Sequence, residues 1–486
     1  MMHHKGIVAF AAAVALAIGT VLLHRPELGI LLATALLYLN AIPIAIRNFQ
    51  LSSMFFATPI VLMIPALLKH WVVDREGLVI DRTLLFMMVF LASTILSSLT
   101  AEAPGLSVVW IARYATEGML LYLVIINTIR TKASLRRMMW LLVICGAFLA
   151  SLSVYQELTG SYGNEFGGLA ARRAGTEHVL EGYERGARPV IRQSHRASGP
   201  SLDANRYAQI LIVLLPLGWC LIRSEPAIVA RVAGAGCALF ILGGVLLTYS
   251  RGAFVGIIAM LGFMGIVRLV TVRQIVVMGA TVILSITLLS PGYLGRMGGL
   301  LGIEALVDPA AKSAAALDPV ERNRAAIMLA AWRVFLDHPI LGVGPGHFAP
   351  LYVVNYGGEV YSVERLAARH FRAHSMYLEL AAETGILGLG AFMAIVISIL
   401  MRLMWARRRM EAIDPDLAKW AAGCLVAIGG YLTTALFLHL AYERYYWLLL
   451  AFAGATVQVA ESAIVTGSSN VGAQAGPLAG GRAGPG

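Results

Sequence analysis

The chain alternates apolar runs with short polar joints. The runs fall at 6–23, 28–46, 54–71, 84–99, 108–128, 138–156, 205–222, 229–248, 251–270, 273–290, 376–401, 418–438 and 445–461. About 20 apolar residues cross the hydrocarbon core of a bilayer as a helix, so each run is a candidate span. The first run has the length of a signal peptide. It lacks a small-residue cleavage site and a second run follows at once, so it reads as a span. Pro43 interrupts that second run. Two stretches between runs are too long to be simple joints, 157–204 and 291–375. In the longer one, Pro319 to Asp337 reads as an amphipathic helix, with Ala325, Met328, Leu329, Trp332, Val334 and Phe335 on its apolar face and Pro339 just past its end.

The organisation expected is therefore N-terminal membrane helices over 1–156, a loop over 157–204, membrane helices over 205–290, a large loop over 291–375, C-terminal membrane helices over 376–461 and a Gly/Ala-rich tail over 462–486. The fold class is all-α: a polytopic membrane protein of about 12–13 spans with a long loop carrying amphipathic helices. The tail has too few large apolar residues to bury a core and reads as disordered.

Composition agrees. Of 486 residues, 58% are hydrophobic and 13% charged, more apolar surface than a soluble chain hides. Cys145, Cys220, Cys237 and Cys424 all lie in apolar runs with no C-x-x-C pair, which points to neither a zinc site nor a disulfide framework. The net charge of +11 does not indicate nucleic acid, because the basic residues sit between membrane runs. It serves either the positive-inside bias or an anionic substrate on the opposite face.

The basic joints set the expected orientation. Arg130, Lys132, Arg136 and Arg137 form one cluster, and Arg402, Arg407, Arg408, Arg409 and Lys419 another. Both are expected in the cytoplasm. Alternation then places 157–204, the joint at Ser250-Arg251 and 291–375 outside. The same count leaves the N-terminus outside, against Lys5, so either an early run is not a span or that terminus is unusual.

His374 stands where the long loop ends and an apolar run begins, with Ser375 in the N-cap position. A helix start is electropositive, which favours a neutral, basic imidazole. An interfacial histidine that only anchors the helix fits the residues equally well. Arg251 has almost no loop around it; it either snorkels or meets an anion. Gly342-Val-Gly-Pro-Gly346 lacks the Gly-Lys-Ser/Thr of a phosphate-binding loop and reads as a turn. His338 and His347 do not form a metal-ligand spacing.

His374-Ser375 followed by Gly385-x-x-Gly388 resembles the signature of the bacterial O-antigen ligase family, part of a superfamily with the O-antigen polymerases. Pro339 to Phe348, Tyr249-Ser-Arg-Gly252 and Arg196 to Asn205 resemble that superfamily too, so the likeness spans roughly 195–460. It implies a GT-C-like membrane glycosyltransferase in the bacterial inner membrane, with its active site at the periplasmic face. The implied donor is a polyprenyl (undecaprenyl) diphosphate-linked glycan. The implied acceptor is a lipid A–core sugar or, for a polymerase, a second lipid-linked repeat. Membrane lipids are the surroundings, and nucleic acid is not a partner.

On this resemblance His374 is the general base, and Arg251 and Arg324 steady the leaving diphosphate. Arg324 matches the spacing to the Pro339–Phe348 stretch better than Arg322. Arg196 and Arg322 are further substrate contacts, unless Arg322 is simply solvated, and Glu379 or Glu383, four apart on one helix face, would contact substrate or orient the imidazole, or else pair with basic groups inside the bundle. No acidic cluster of Mg²⁺ type stands out on this face. Inverting transfer without metal or cofactor is therefore expected. A flippase for lipid-linked oligosaccharides is the alternative of another class, but no internal repeat supports it.

Overall fold

The computed structural model describes residues 25–73, 75, 77–179, 190–289, 319–352, 356, 372–438 and 444–474. In chain order its main helices are α1 (Pro26–Tyr38), α2 (Ala41–Phe49), α3 (Thr58–Leu68), α4 (Arg82–Leu99), α5 (Pro104–Thr128) and α6 (Lys132–Thr159). After a hairpin follow α7 (Ala204–Ser224), α8 (Ile228–Leu246), α9 (Arg251–Ile266), α10 (Val272–Leu289), α11 (Pro319–Asp337), α12 (Met376–Ile413), α13 (Pro415–Thr434) and α14 (Arg444–Gln474). Among the described residues, 8 helices are long and apolar enough to cross a membrane. The protein is an all-α multi-pass membrane protein.

The remaining expected runs differ in kind. Run 6–23 lies outside the described residues. Run 28–46 is α1 and α2, bent by 65° at a break. Runs 54–71 and 251–270 contain only the shorter helices α3, 11 residues, and α9, 16 residues. Run 418–438 is α13, 20 residues long, with Asp416 and Lys419 in its first turns. The loop 157–204 carries an antiparallel hairpin, β1 (Arg172–Val179) on β2 (Val190–Ala197), in register Arg172↔Ala197.

Local chemistry sets the helix starts. Asp81 accepts from Leu84 N–H at 2.8 Å, Thr131 and Ser134 form a reciprocal capping box, and Ser250 and Asp414 cap α9 and α13. Helices then approach where side chains are small. A Cβ on Gly256 of α9 would come within 2.6 Å of Thr434 on α13, the close packing that holds helices together where lipid supplies no hydrophobic drive. An aromatic cluster fills the centre. Tyr114 lies 4.9 Å from both Phe90 and Trp447, and Tyr446 lies 4.9 Å from Tyr431. Such edge and offset pairs each contribute about 0.5–1.5 kcal/mol beyond area burial.

The two ends of the bundle differ. At one, Lys132 donates to Asp414 at 2.7 Å, Arg136 Nε donates to Glu225 at 2.6 Å, and Arg402 pairs with Asp81 and Glu461. Both basic clusters that set the expected orientation therefore meet at this end. The opposite end gathers Arg196, Thr248, the start of α12 and the end of α13.

Candidate active site

The turn 372–375 presents His374. Its φ of 52° is left-handed, a region non-glycine residues seldom occupy, with His among those enriched there. Ser375 holds the N-cap position in extended conformation, but its side chain makes no capping hydrogen bond. The start of α12 is fixed differently: Met376 N–H donates to Ala435 O at 3.0 Å, joining it to the end of α13. Burial pushes the His374 pKa down to about 4; the Arg324 cation lowers it further, while Asp203 acts in the opposite sense. The imidazole is neutral at pH 7. The helix start was expected to cause this; the larger cause is desolvation.

Asp203 falls in the Arg196–Asn205 stretch, but the sequence gives it no role beyond an N-cap pattern. It caps α7, accepting from Asn205 N–H at 3.0 Å and Arg206 N–H at 2.9 Å, and so sits at the end of the bundle that holds His374. Its charge, with that of Arg324, sets the electrostatics of the imidazole. Glu379 and Glu383 are engaged elsewhere. Arg372 Nε donates to Glu379 at 2.7 Å while its guanidinium lies 5.0 Å over the Trp110 ring. Glu383 accepts from Phe348 N–H at 3.3 Å. Both glutamates are almost fully buried, and in each Oε2 has no hydrogen-bond partner.

The two glycine-bearing stretches form one unit. Helix α12 breaks at Gly385, whose φ of 62° and ψ of −164° are open only to glycine. The Pro339–Phe348 loop closes around that break. Val343 N–H donates to Ala382 O at 3.0 Å and Gly344 N–H to Glu383 O at 2.9 Å; beyond the break, Ile386 N–H donates to Pro339 O at 2.8 Å. The loop thus satisfies backbone groups that the break would orphan in a buried setting. A Cβ on Gly342 would overlap the backbone of Glu383 and Thr384, and one on Gly385 would overlap Ile340. The Gly342–Gly346 turn is a clamp for the helix break, and His347 belongs to it. Its Nε2 accepts from Ala103 N–H at 3.2 Å, which leaves Nδ1 to donate to Pro345 O at 3.2 Å.

The arginines are placed as follows. Arg251 opens α9, after Tyr249 in left-handed conformation and the Ser250 cap. Arg196 ties the turn before it to the first turn of α7: Nε donates to Thr248 O at 2.8 Å and Nη2 to Asn205 Oδ1 at 3.0 Å. Two of its N–H groups therefore build the site wall. Arg324 lies in the first turns of α11, close enough to act on His374. Arg322 is in the same helix, and its side chain is outside the described residues. Among the described residues, no group of three or more His, Cys, Asp or Glu is placed to hold a metal ion.

Residues 236–393 match the family model described as O-antigen ligase. No curated protein matches the chain. The match is narrower than the span of resemblance read from the sequence. It takes in Arg251, Arg324, the clamp, His374 and Gly385, and leaves Arg196 and Asp203 outside. The matched residues include both the turn that presents His374 and the loop that closes on the helix break, so this part of the chain is similar to the O-antigen ligase family.

Proposed function

We propose that the protein transfers a glycan from a polyprenyl diphosphate donor to a sugar hydroxyl of lipid A–core, at the periplasmic face of the bacterial inner membrane. The observation that carries this reading is a buried His374, presented by a left-handed turn and near enough to Arg324 to feel its charge, inside the matched family segment. A neutral imidazole accepts the acceptor hydroxyl's proton as the new oxygen–carbon bond forms at the anomeric centre. On the opposite side the bond from that carbon to the diphosphate oxygen breaks, and the anomeric configuration inverts. The electron pair leaves on the diphosphate, whose growing charge Arg324 and Arg251 stabilise with charge-assisted hydrogen bonds. Two guanidinium cations there do the work that a divalent cation does elsewhere. Arg322 is assigned a supporting contact to the donor.

The donor also completes the base. In the free protein burial and Arg324 hold the imidazole well below its ordinary range. An anionic diphosphate placed on Arg324 cancels part of that cation's effect and raises the basicity of His374 when the acceptor arrives. Transfer to a second lipid-linked repeat would use the same chemistry, and the choice lies with the acceptor. The test is purified protein in nanodiscs given a defined undecaprenyl diphosphate-linked glycan, with lipid A–core or a second lipid-linked repeat. Glycosylated lipid A–core is the expected product, with activity persisting in EDTA. Polymer alone would make the protein a polymerase. Movement of the donor across a vesicle membrane with no transfer would make it a flippase and remove the reading.

A further inference from the structure

One cavity among the described residues lies away from His374. It is a groove of about 340 Å³ between α1, α2, α3 and α5, lined by Leu37, Ile42, Phe56, Met63, Leu120 and Leu121 among others. Its walls are almost wholly apolar except at one rim, where Glu117 faces Arg444 at 3.9 Å. That pair is beyond hydrogen-bonding distance, and the guanidinium has five N–H donors to offer. The rim lies towards the end of the bundle that carries the candidate site. Arg444 opens α14, and two residues on Tyr446 packs against Tyr431 in the last turn of α13. Ala435, just beyond, accepts the hydrogen bond from the start of α12. Across the groove, Asn40 at the α1–α2 break donates to Pro200 O at 2.8 Å, in the segment that leads to Asp203. The segment before α3 keeps Met54 82% exposed and Phe56 48% exposed, so one side of the groove faces outward with apolar surface.

A groove of this kind in a membrane protein has the polarity of a lipid: hydrocarbon along its length and, at the end nearest the chemistry, the loose Arg444–Glu117 pair, whose arginine has N–H donors left for a phosphate. A cavity of about 340 Å³ suits a stretch of one chain rather than the several chains of a lipid A. We infer that this groove holds the isoprenoid chain of the donor, with the diphosphate end leaving past Arg444 towards Arg251 and Arg324. The inference rests on the proposed function and adds where the carrier lipid binds. It makes chain length, and not only the diphosphate and sugar, part of donor recognition.

The experiment compares two donors bearing the same glycan diphosphate, one on undecaprenol and one on a two-isoprene alcohol. In the wild type KM is lower for the long chain. Ile60 and Leu121 both line the groove, and Ile60→Trp and Leu121→Trp each place a large side chain in it. Each raises KM for the long-chain donor roughly tenfold, as expected for withdrawing about two methylenes from contact, and leaves kcat and the short-chain KM at wild-type values. Unchanged short-chain turnover shows that the variants are folded. An unaltered long-chain KM in both variants overturns the inference. So does an equal rise for both donors, or a rise confined to the acceptor KM. A second measurement does not depend on turnover: a benzophenone-bearing isoprenoid diphosphate should label the Met54–Phe56 segment, with competition by undecaprenyl phosphate and none by phosphatidylglycerol. Equal competition by phosphatidylglycerol, or no labelling, overturns it. If the wild type transfers nothing, the functional reading fails, and the labelling alone judges the groove.

Discussion

The sharpest test of the site is the acid limb of the reaction. The perturbation is a fall in pH, and the reacting species is the neutral imidazole of His374. With its pKa pushed down to about 4, the imidazole is still about 97% neutral at pH 5.5, whereas a solvated histidine of pKa about 6.5 would be about 9% neutral. The sign follows: activity is lost as pH falls, and the depressed value moves that loss to lower pH. Between pH 7.5 and 5.5, kcat/KM for transfer should therefore stay nearly flat, where an exposed base would lose about tenfold. The assay is initial-rate transfer of a labelled glycan from an undecaprenyl diphosphate donor in nanodiscs, at a fixed saturating acceptor concentration. Two variants move the limb in opposite directions. Arg324→Gln removes a cation that disfavours protonation, so its limb shifts to higher pH. Asp203→Asn removes an anion that favours it, so its limb shifts lower, and asparagine still caps α7. Measured as kcat, with donor bound, the wild-type limb should lie above that of kcat/KM, because the diphosphate offsets Arg324. A wild-type kcat/KM that halves near pH 6.5, with neither variant displacing it, would refute the reasoning and return His374 to an anchoring role.

Further outcomes are expected from the same geometry. His374→Ala should lower turnover by roughly 10²- to 10⁴-fold with donor binding retained, and His374→Gln, which keeps hydrogen bonding but cannot take a proton near neutrality, should be no better. Arg251→Lys and Arg324→Lys keep the charge and lose the forked donor, so each should impair transfer in protein that inserts and folds normally; wild-type rates in both would remove them from the site. Gly385→Ala forces a side chain into a backbone conformation reserved for glycine and into the backbone of Ile340; thermal unfolding in detergent should show a loss of about 1–3 kcal/mol or more, and an unchanged midpoint would mean the clamp is not as described. Cysteines placed at residues 180 and 355 should react with an impermeant reagent added outside intact cells; labelling only after the cytoplasmic side is opened would reverse the orientation and the mechanism with it.

The sequence by itself determined where the helices form, because insertion into a bilayer depends on a local property, the apolar length of a run, and helix starts depend on capping residues a few positions away. Asp81, Thr131, Ser250 and Asp414 all act within their own turns. His374 was legible for the same reason: it stands at a junction between polar loop and apolar run and in a recognisable spacing to Gly385. Tertiary structure decided what surrounds it. Burial, Arg324 from α11 and Asp203 from the start of α7 set its basicity, and no local pattern reports which distant charges will be brought together. Glu379 and Glu383 share a helix face with one another, as four-residue spacing requires, yet Arg372 and the Phe348 backbone take up their carboxylates. The glycines of the 342–346 turn and the break at Gly385 are far apart in the chain, and each alone reads only as a flexible point. Their common purpose exists only once the loop lies against α12 and exchanges backbone hydrogen bonds across the break. A buried break in a helix must find such partners, and where it finds them is a property of the packed fold.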